Sequence, residues 1–107
     1  MIARSWTARA DEAGADAYAK FFTTTLTPAL DAIEGHRGAV VLRHGSGDDV
    51  HITVLTFWES MAAIGRFAGN TPELAVVEPE ARAVLRSFED RVRHDEVVVA
   101  RLATGAP

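Results

Sequence analysis

Residues 50–69 constrain the fold more than any other stretch, because a strand pattern passes there directly into a helix pattern. Val50 to Trp58 contains β-branched and aromatic residues without Gly or Pro, which is typical of a strand. Ser60 is a residue type that caps helices, because its hydroxyl accepts a hydrogen bond from a free N–H group of the first turn. Gly69 is typical of the residue that ends a helix. Between Ser60 and Gly69 the apolar residues recur at helical spacing: Met61, Ile64, Phe67 and Ala68.

The first half of the chain predicts two more strands and a helix. Ile2 to Ala8 alternates between two faces, one of them made of small residues that leave room for another group. Asp11 to Ile33 carries an apolar stripe typical of a long helix. Pro28 predicts a kink or a break in it, because proline lacks an N–H and its ring crowds the carbonyl four residues earlier. Ala39 to His44 predicts a second strand, which forms an antiparallel hairpin with Val50–Trp58 across a long loop.

The second half predicts short helices and a final strand. Turn and proline signals divide residues 61–87 into two or three helical pieces, with new starts at Thr71-Pro72 and Pro79. Val92 to Arg101 predicts the last strand, and its Val97–Val99 run suggests burial on both faces. The element order β-α-β-β-α-β predicts an α+β, ferredoxin-like fold, in which a four-stranded antiparallel sheet carries helices on one face. We expect one domain over residues 1–101 and a loose tail over 102–107.

The uncovered face of such a sheet predicts a partner. Alternation leaves apolar residues on both faces, such as Ile52, Val54 and Trp58 or their counterparts. A chain of 107 residues has nothing left to cover the second face. Face-to-face packing of two copies, as in a dimeric α/β barrel, therefore predicts a homodimer.

The composition excludes several classes of function. The formal net charge is −4 and no long run of like charge is present, which argues against nucleic acid as a partner. The absence of cysteine excludes disulfides, thiolate metal sites and cysteine nucleophiles. No segment approaches the roughly 20 apolar residues of a membrane span, and the N-terminus lacks a signal-peptide pattern. We therefore expect a cytoplasmic protein without a membrane partner.

Several short motifs together resemble the antibiotic biosynthesis monooxygenase (ABM) domain family. They cover about residues 1–98, and the Trp-x-Ser corner at 58–60 is the firmest of them. The motifs are Met-Ile-Ala-Arg-Ser-Trp at 1–6, Ala-Asp-Ala-Tyr at 15–18, Glu-Gly-His-Arg-Gly at 34–38, Phe-Trp-Glu-Ser at 57–60, Phe-Ala-Gly at 67–69 and Val-Arg-His-Asp-Glu-Val at 92–97.

The resemblance implies a ferredoxin-like homodimer and a choice among several activities. The family includes cofactor-free monooxygenases of polyketide aromatics, quinol oxidases and heme-degrading enzymes. The heme-degrading branch has an Asn on the first strand, a Trp on the helix after the corner and, further on, a His that binds iron. The matching positions here carry Ser5, Phe67 and, approximately, Val77, and no His lies between 52 and 93. The resemblance therefore disfavours heme degradation by that mechanism.

Five residues are candidates for binding a small aromatic or apolar molecule. The resemblance places Phe67 where active relatives have a pocket Trp, and Ser5 close to the Asn position. Tyr18 and Phe22 lie on the apolar stripe of the first helix, and Trp58 ends the third strand. Each of the four aromatic residues has an ordinary alternative role in the core.

His94 is the candidate acid–base group, with a structural or surface role as the alternative. Alternation makes Glu96 its companion on the same face, and a carboxylate there would raise the pKa of the imidazole. His44 and His51 flank the hairpin loop as cross-strand neighbours. A metal site needs three or four convergent ligands, so we predict no metal there. His36 lies in a turn and is expected to be exposed.

The first functional hypothesis is a small cofactor-independent monooxygenase of anthrones, phenols or quinols, with His94 as its acid–base group. Such substrates are acidic and electron-rich, so a pocket that favours the deprotonated form lets the substrate itself reduce oxygen without metal or flavin. Arg4 is one of three arginines that could bind an anionic group or simply be solvated. The alternative is a non-catalytic dimeric domain that binds a small apolar ligand. Heme binding is a third hypothesis and requires an unusual ligand such as His94 or His51.

Overall fold

The computed structural model describes residues 1–103 of the chain. The last part of the predicted tail, residues 104–107, lies outside the described residues. The strands are β1 (Ile2–Ala10), β2 (His36–Ser46), β3 (Asp49–Trp58), β4 (Ser87–Phe88) and β5 (Arg93–Glu96). The helices are α1 (Glu12–Phe21), α2 (Thr27–Asp31), α3 (Met61–Ala68) and α4 (Pro79–Val84), with a π-helical turn at Phe22–Leu26 between α1 and α2.

The strands form one antiparallel sheet in the order β2-β3-β1-β4, and β5 also pairs with β1. The α+β, ferredoxin-like prediction is confirmed, with the helices on one face of the sheet. The fourth strand is divided, because β4 pairs with Ala8 and Arg9 while β5 pairs with Ile2 to Ser5. Between β4 and β5 the chain turns away from β1, and Val92 N donates to the carbonyl of Glu73.

Strict alternation of burial along β3 fixes which face meets the helices. Its even-numbered residues from Val50 to Trp58 are buried and its odd-numbered residues are more exposed. The core side therefore includes Ile52, Val54 and Trp58, all 7% exposed or less. Their counterparts on the outer face are Leu55 and Phe57.

The corner after β3 is built as the sequence predicts. The Ser60 hydroxyl accepts a hydrogen bond from Ala63 N at 3.2 Å, which caps α3. Gly69 ends the helix with a φ of 75°, a conformation that residues with a Cβ rarely adopt. Ala63 and Ile64 bury one side of α3 in the core.

The long first helix is interrupted by the π-turn before Pro28. The backbone N–H and the hydroxyl of Thr27 both donate to the carbonyl of Phe22, five residues earlier. The Thr23 hydroxyl adds a bond to Ala19 O at 2.9 Å. This wider turn absorbs the crowding that the ring of Pro28 causes, and the helical path continues into α2. The predicted break is thus a change of helix type.

Several local predictions are wrong. The loop of the β2–β3 hairpin is only Gly47-Asp48, because the strands pair up to Ser46 and Asp49. No helix forms at Thr71-Pro72, because Ala75 N donates to the carbonyl of Asp90 and ties this segment to the end of the chain. Val98 and Val99 are 83% and 77% exposed and lie beyond the last strand. Along residues 1–103, every helix is too short to cross a membrane.

Candidate functional site

A small cavity lies between the helix-facing side of the sheet, the first helix and the segment before α4. Its volume is about 40 Å³, which is enough for a few water molecules. Its outer wall is formed by residues 75–78, which are neither helix nor strand. Most of the lining is apolar, including Trp6, Phe22, Leu26, Leu30, Val54 and Val92.

Arg4 brings a positive charge into this apolar lining. It belongs to β1 and is only 4% exposed. Its Nη1 donates to the carbonyl of Pro72, and its Nη2 donates to the carbonyl of Leu74 at 2.9 Å. Burial lowers the pKa of the guanidinium from its ordinary value. Within residues 1–103 no carboxylate forms an ion pair with Arg4, so the charge is held by neutral groups alone.

His94 contacts Arg4 and does not line the cavity. Its Nε2 lies 3.1 Å from Arg4 Nη1. A guanidinium has no acceptor, so Nε2 is the accepting nitrogen and the proton of the neutral ring is on Nδ1. The expected carboxylate companion, Glu96, is replaced by a cation. The pKa of His94 is accordingly lowered, first by burial and then by the charge of Arg4, with smaller opposing effects of Glu73 and Asp95.

Three of the predicted aromatic residues form one wall of the cavity. Tyr18 and Phe22 line it from the first helix, with ring centroids 6.2 Å apart, and Phe67 lines it from α3. Arg4 lies over the Phe67 ring, 5.7 Å from its centroid. The structure thus brings together residues from three elements that are far apart in the sequence.

Trp58 supports this wall from behind. It is 0% exposed and its ring stacks on Phe67 with centroids 5.8 Å apart. Its Nε1 donates to Thr56 Oγ1 at 2.8 Å, so its polar atom is satisfied inside the core. Trp58 therefore fixes the position of Phe67 and does not itself line the cavity.

Ser5 lies on the other face of the sheet. It pairs with Leu55 across β1 and β3, and both residues line a shallow groove on the outer face. The alternation of β1 explains this position, because Arg4 and Trp6 on either side of Ser5 point toward the helices. Ser5 is thus separated from the cavity by the sheet.

Glu78 and Tyr18 are the other ionisable groups in the cavity lining. Burial raises the pKa of Glu78 above its ordinary value. Burial also raises the pKa of Tyr18, and the charge of Glu78 raises it further, so the phenol stays protonated. Sequence reasoning missed Glu78; the available signal was its position directly before Pro79, which opens α4.

The remaining histidines lie away from the cavity. His44 and His51 stack across the hairpin with centroids 4.7 Å apart, as cross-strand neighbours. Among residues 1–103 they belong to no group of three His, Cys, Asp or Glu that could hold a metal ion. His36 was expected to be exposed, which is wrong. Its side chain is 3% exposed, because the ring packs edge-on against Trp58 with centroids 5.0 Å apart.

Comparisons with known proteins identify the fold. No protein-family model matches the sequence, and no curated protein matches it significantly. A candidate antibiotic biosynthesis monooxygenase from Bacillus cereus has a similar structure, with a TM-score of 0.64, 17% identity and 98% of each chain covered. The chain has an ABM-type fold. A protein of unknown function from Nitrosomonas europaea is also similar, with a TM-score of 0.61, 20% identity, and 97% of this chain and 95% of that chain covered.

The heme-degrader MhuD from Mycobacterium tuberculosis shares the fold as well. Its structure holds two hemes in the active site, and the TM-score is 0.58 at 21% identity, with 94% of this chain and 99% of MhuD covered. The same fold is therefore found in a candidate antibiotic biosynthesis monooxygenase and in a heme-degrader. At these identities the similarity establishes the fold alone.

Proposed function

We propose that the protein is a small monooxygenase that binds an acidic aromatic molecule as its anion and lets that anion react with O₂. The observation that carries this proposal is Arg4, a cation without a carboxylate partner in residues 1–103, in the lining of an apolar cavity. A buried charge without a counter-ion is costly, and an anionic ligand would offset that cost. Tyr18, Phe22 and Phe67 supply the flat surfaces that suit aromatic rings.

The chemistry needs an electron-rich anion and a site from which water is excluded. For an anthrone, the balanced reaction converts the ring CH₂ group and O₂ into a ring C=O group and H₂O. The substrate anion is the reductant and O₂ is the oxidant, so neither metal nor flavin is required. A neighbouring arginine typically lowers the pKa of an acidic group by one to three units, which raises the fraction of reactive anion roughly 10- to 1,000-fold.

Binding requires the cavity to open. About 40 Å³ is far smaller than the volume of an aromatic ligand. The outer wall at residues 75–78 carries neither helix nor strand, so its outward movement is the least costly way to make room. Closure of this wall over the substrate would then exclude water.

Self-assembly and location complete the proposal. The outer face of the sheet carries Leu42, Leu55 and Phe57, and Leu42 is 49% exposed. A second copy packed against this face would bury them and form a dimeric α/β barrel. We place the dimer in the cytoplasm, and cell fractionation that recovers the protein with membranes would contradict this part.

Oxygen consumption tests the proposed activity. Metal-free protein is mixed with anthrones, naphthols and hydroquinones, and uptake is recorded with and without chelator and flavin. We expect protein-dependent uptake that neither addition changes. Arg4→Met should lower the rate roughly 10- to 1,000-fold, and Arg4→Lys, which keeps the charge, should lower it less. Arg43→Met is the matched control, because Arg43 is exposed and pairs with Asp16.

The same assay separates the alternatives. Uptake that is unchanged in a folded Arg4→Met variant would remove the arginine from the reaction. A flat trace with all substrates, together with thermal stabilisation by one of them, would favour a non-catalytic binding domain. Neither His94 nor His51 lines the cavity, so we expect added hemin to give no shifted Soret band. A shifted band that His94→Ala or His51→Ala abolishes would establish heme binding instead.

A further inference from the structure

Glu78 is an acidic side chain at a helix start that does not cap the helix. It immediately precedes α4 in extended backbone, with φ −67° and ψ 153°, the conformation of a capping residue. Its side chain makes no capping hydrogen bond. It also forms no ion pair within residues 1–103. Glu78 is instead one of the residues that line the cavity, so neither capping nor an ion pair explains its partial burial.

The groups that share the cavity with Glu78 have complementary chemistry. Arg4 reaches it from β1 as a fixed cation, and Tyr18 reaches it from the first helix as a phenol that stays protonated. Burial raises the pKa of Glu78, a hydrogen bond from its own backbone N–H opposes this, and the charge of Glu80 on the adjoining helix adds to the rise. A carboxylate in such a place accepts protons more readily than an exposed one.

The other groups near the cavity are less suited to accept a proton. His94 lies outside the lining, and its accepting nitrogen is already bonded to Arg4. Arg4 has no lone pair to offer. Tyr18 would have to lose its own proton first, and burial opposes this. Among the ionisable residues that line the cavity, only Glu78 carries a basic oxygen in its ordinary ionised form.

We propose that Glu78 is the catalytic base that removes the acidic proton of the substrate. This inference rests on the proposed function and names the residue that starts the reaction. With an anthrone, the ring C–H bond breaks, its electron pair stays on the substrate, and an O–H bond forms on the Glu78 carboxylate. The substrate anion, stabilised by Arg4, then reduces O₂ and forms a C–O bond to it, and protonated Glu78 returns its proton to the resulting peroxide. Loss of the second C–H proton and cleavage of the O–O bond then release water and leave the ring C=O group.

Hydrogen–deuterium exchange tests the proton transfer without oxygen. Anthrone is incubated anaerobically in D₂O with the protein, and loss of the ring CH₂ signal is followed by NMR. Oxygen uptake is measured in parallel. We expect the wild type to accelerate exchange and the rate to rise with pH as Glu78 ionises. Glu78→Gln should lower the exchange rate about 10²- to 10⁴-fold and remove this pH dependence. Glu34→Gln is the matched control, because Glu34 is exposed and does not line the cavity.

The two readouts keep the inference and the proposed function apart. Exchange that depends on Glu78 without any oxygen uptake would support the base and contradict the oxygenase. Oxygen uptake with exchange equal in the wild type and Glu78→Gln would support the oxygenase and overturn the base. If the wild type does not accelerate exchange, the assignment of Glu78 as the catalytic base is also contradicted. If Glu78→Gln does not fold, Glu78→Asp is the second variant. It keeps the carboxylate and should retain part of the exchange rate.

Discussion

Arg4 is the residue from which the chemistry of the cavity follows. Its guanidinium is held by two backbone carbonyls and one imidazole, all of them neutral. Neutral acceptors satisfy its N–H groups, and no carboxylate of residues 1–103 lies within ion-pair distance, so its charge retains an attraction for an anion. Pro72 and Leu74, which supply the carbonyls, lie just before the outer wall of the cavity. Arg4 thereby connects β1 to the segment that leads into residues 75–78, the wall whose movement we propose for ligand entry.

The burial of His94, together with its contact with Arg4, predicts a pH dependence of stability. The pKa of His94 is lowered in the folded chain from its ordinary value of 6.5. Below that pH the unfolded chain binds a proton that the folded chain resists, so the free energy of unfolding falls as the pH falls through this window. Above it both states are neutral and the effect disappears. We expect His94→Gln to reduce this dependence, measured by urea unfolding between about pH 5 and pH 8.

His44→Gln is the control for that measurement, because His44 is exposed on the hairpin and does not contact Arg4. It should retain the loss of stability at low pH. If the free energies of unfolding of wild type and His94→Gln differ by the same amount at every pH, the lowered pKa of His94 would be contradicted. We also expect His94→Gln to raise KM more than it lowers kcat, because His94 contacts Arg4 and does not line the cavity.

At the scale of elements, the π-turn at Phe22–Leu26 contributes to the cavity. Phe22 and Leu26, the first and last residues of this turn, both line it. A π-turn contains one more residue per turn than an α-helix and therefore shifts the faces of the helix on either side of it. Tyr18 before the turn and Leu30 after it still reach the same cavity. The turn is thus part of the site as well as a response to Pro28.

Gly65 inside α3 and Gly69 directly after it should respond in opposite ways to substitution by alanine. Gly65 lies inside the helix and has open space where a Cβ would be, so Gly65→Ala should stabilise the protein by about 0.5–1 kcal/mol. Gly69 also has open space, but its φ of 75° with a ψ of −148° is a conformation that essentially only glycine adopts, so Gly69→Ala should destabilise the protein by about 1–3 kcal/mol. Chemical denaturation of both variants measures the difference. Equal effects would mean that the conformation of Gly69 is not retained in solution.

At the scale of the whole molecule, the outer face of the sheet has no helix packed against it within residues 1–103. It presents apolar residues of β2 and β3, while β1 contributes the small side chains of Ala3 and Ser5. Small residues beside large ones leave room for side chains of a second sheet to interdigitate. Beyond β5, Val98 and Val99 are also exposed apolar residues.

A pair of substitutions tests whether two copies meet at this face. Leu42→Glu places a charge on the outer face, and Met61→Glu places one on α3, on the helix side of the sheet. Leu42 and Met61 are 49% and 41% exposed, so neither change disturbs the core. We expect light scattering to give a dimer for the wild type and Met61→Glu, and a monomer for Leu42→Glu. A wild type that is monomeric at all concentrations would refute the dimer.

Sequence alone determined the elements whose causes are local. The alternation of Val50–Trp58, the cap at Ser60 and the stop at Gly69 each depend on residues within one turn or one strand, and all three are confirmed. The antiparallel order follows from the sequence of elements, because short connections allow few arrangements. The sequence also predicts Tyr18, Phe22, Trp58 and Phe67 as walls of a pocket, Phe67 through the family resemblance, and the structure places all of them except Trp58 in the cavity lining.

Tertiary structure decided the polar half of the site and the course of the last strand. Arg4 meets Pro72 and His94 across 68 and 90 residues of sequence, and no local pattern specifies such a contact. The same applies to Glu78, which lines the cavity only because the start of α4 lies beside the first helix. The division of the last strand and the burial of His36 likewise depend on neighbours distant in sequence. Periodicity indicates which face of an element is buried, but the groups that meet inside are fixed only when the elements pack.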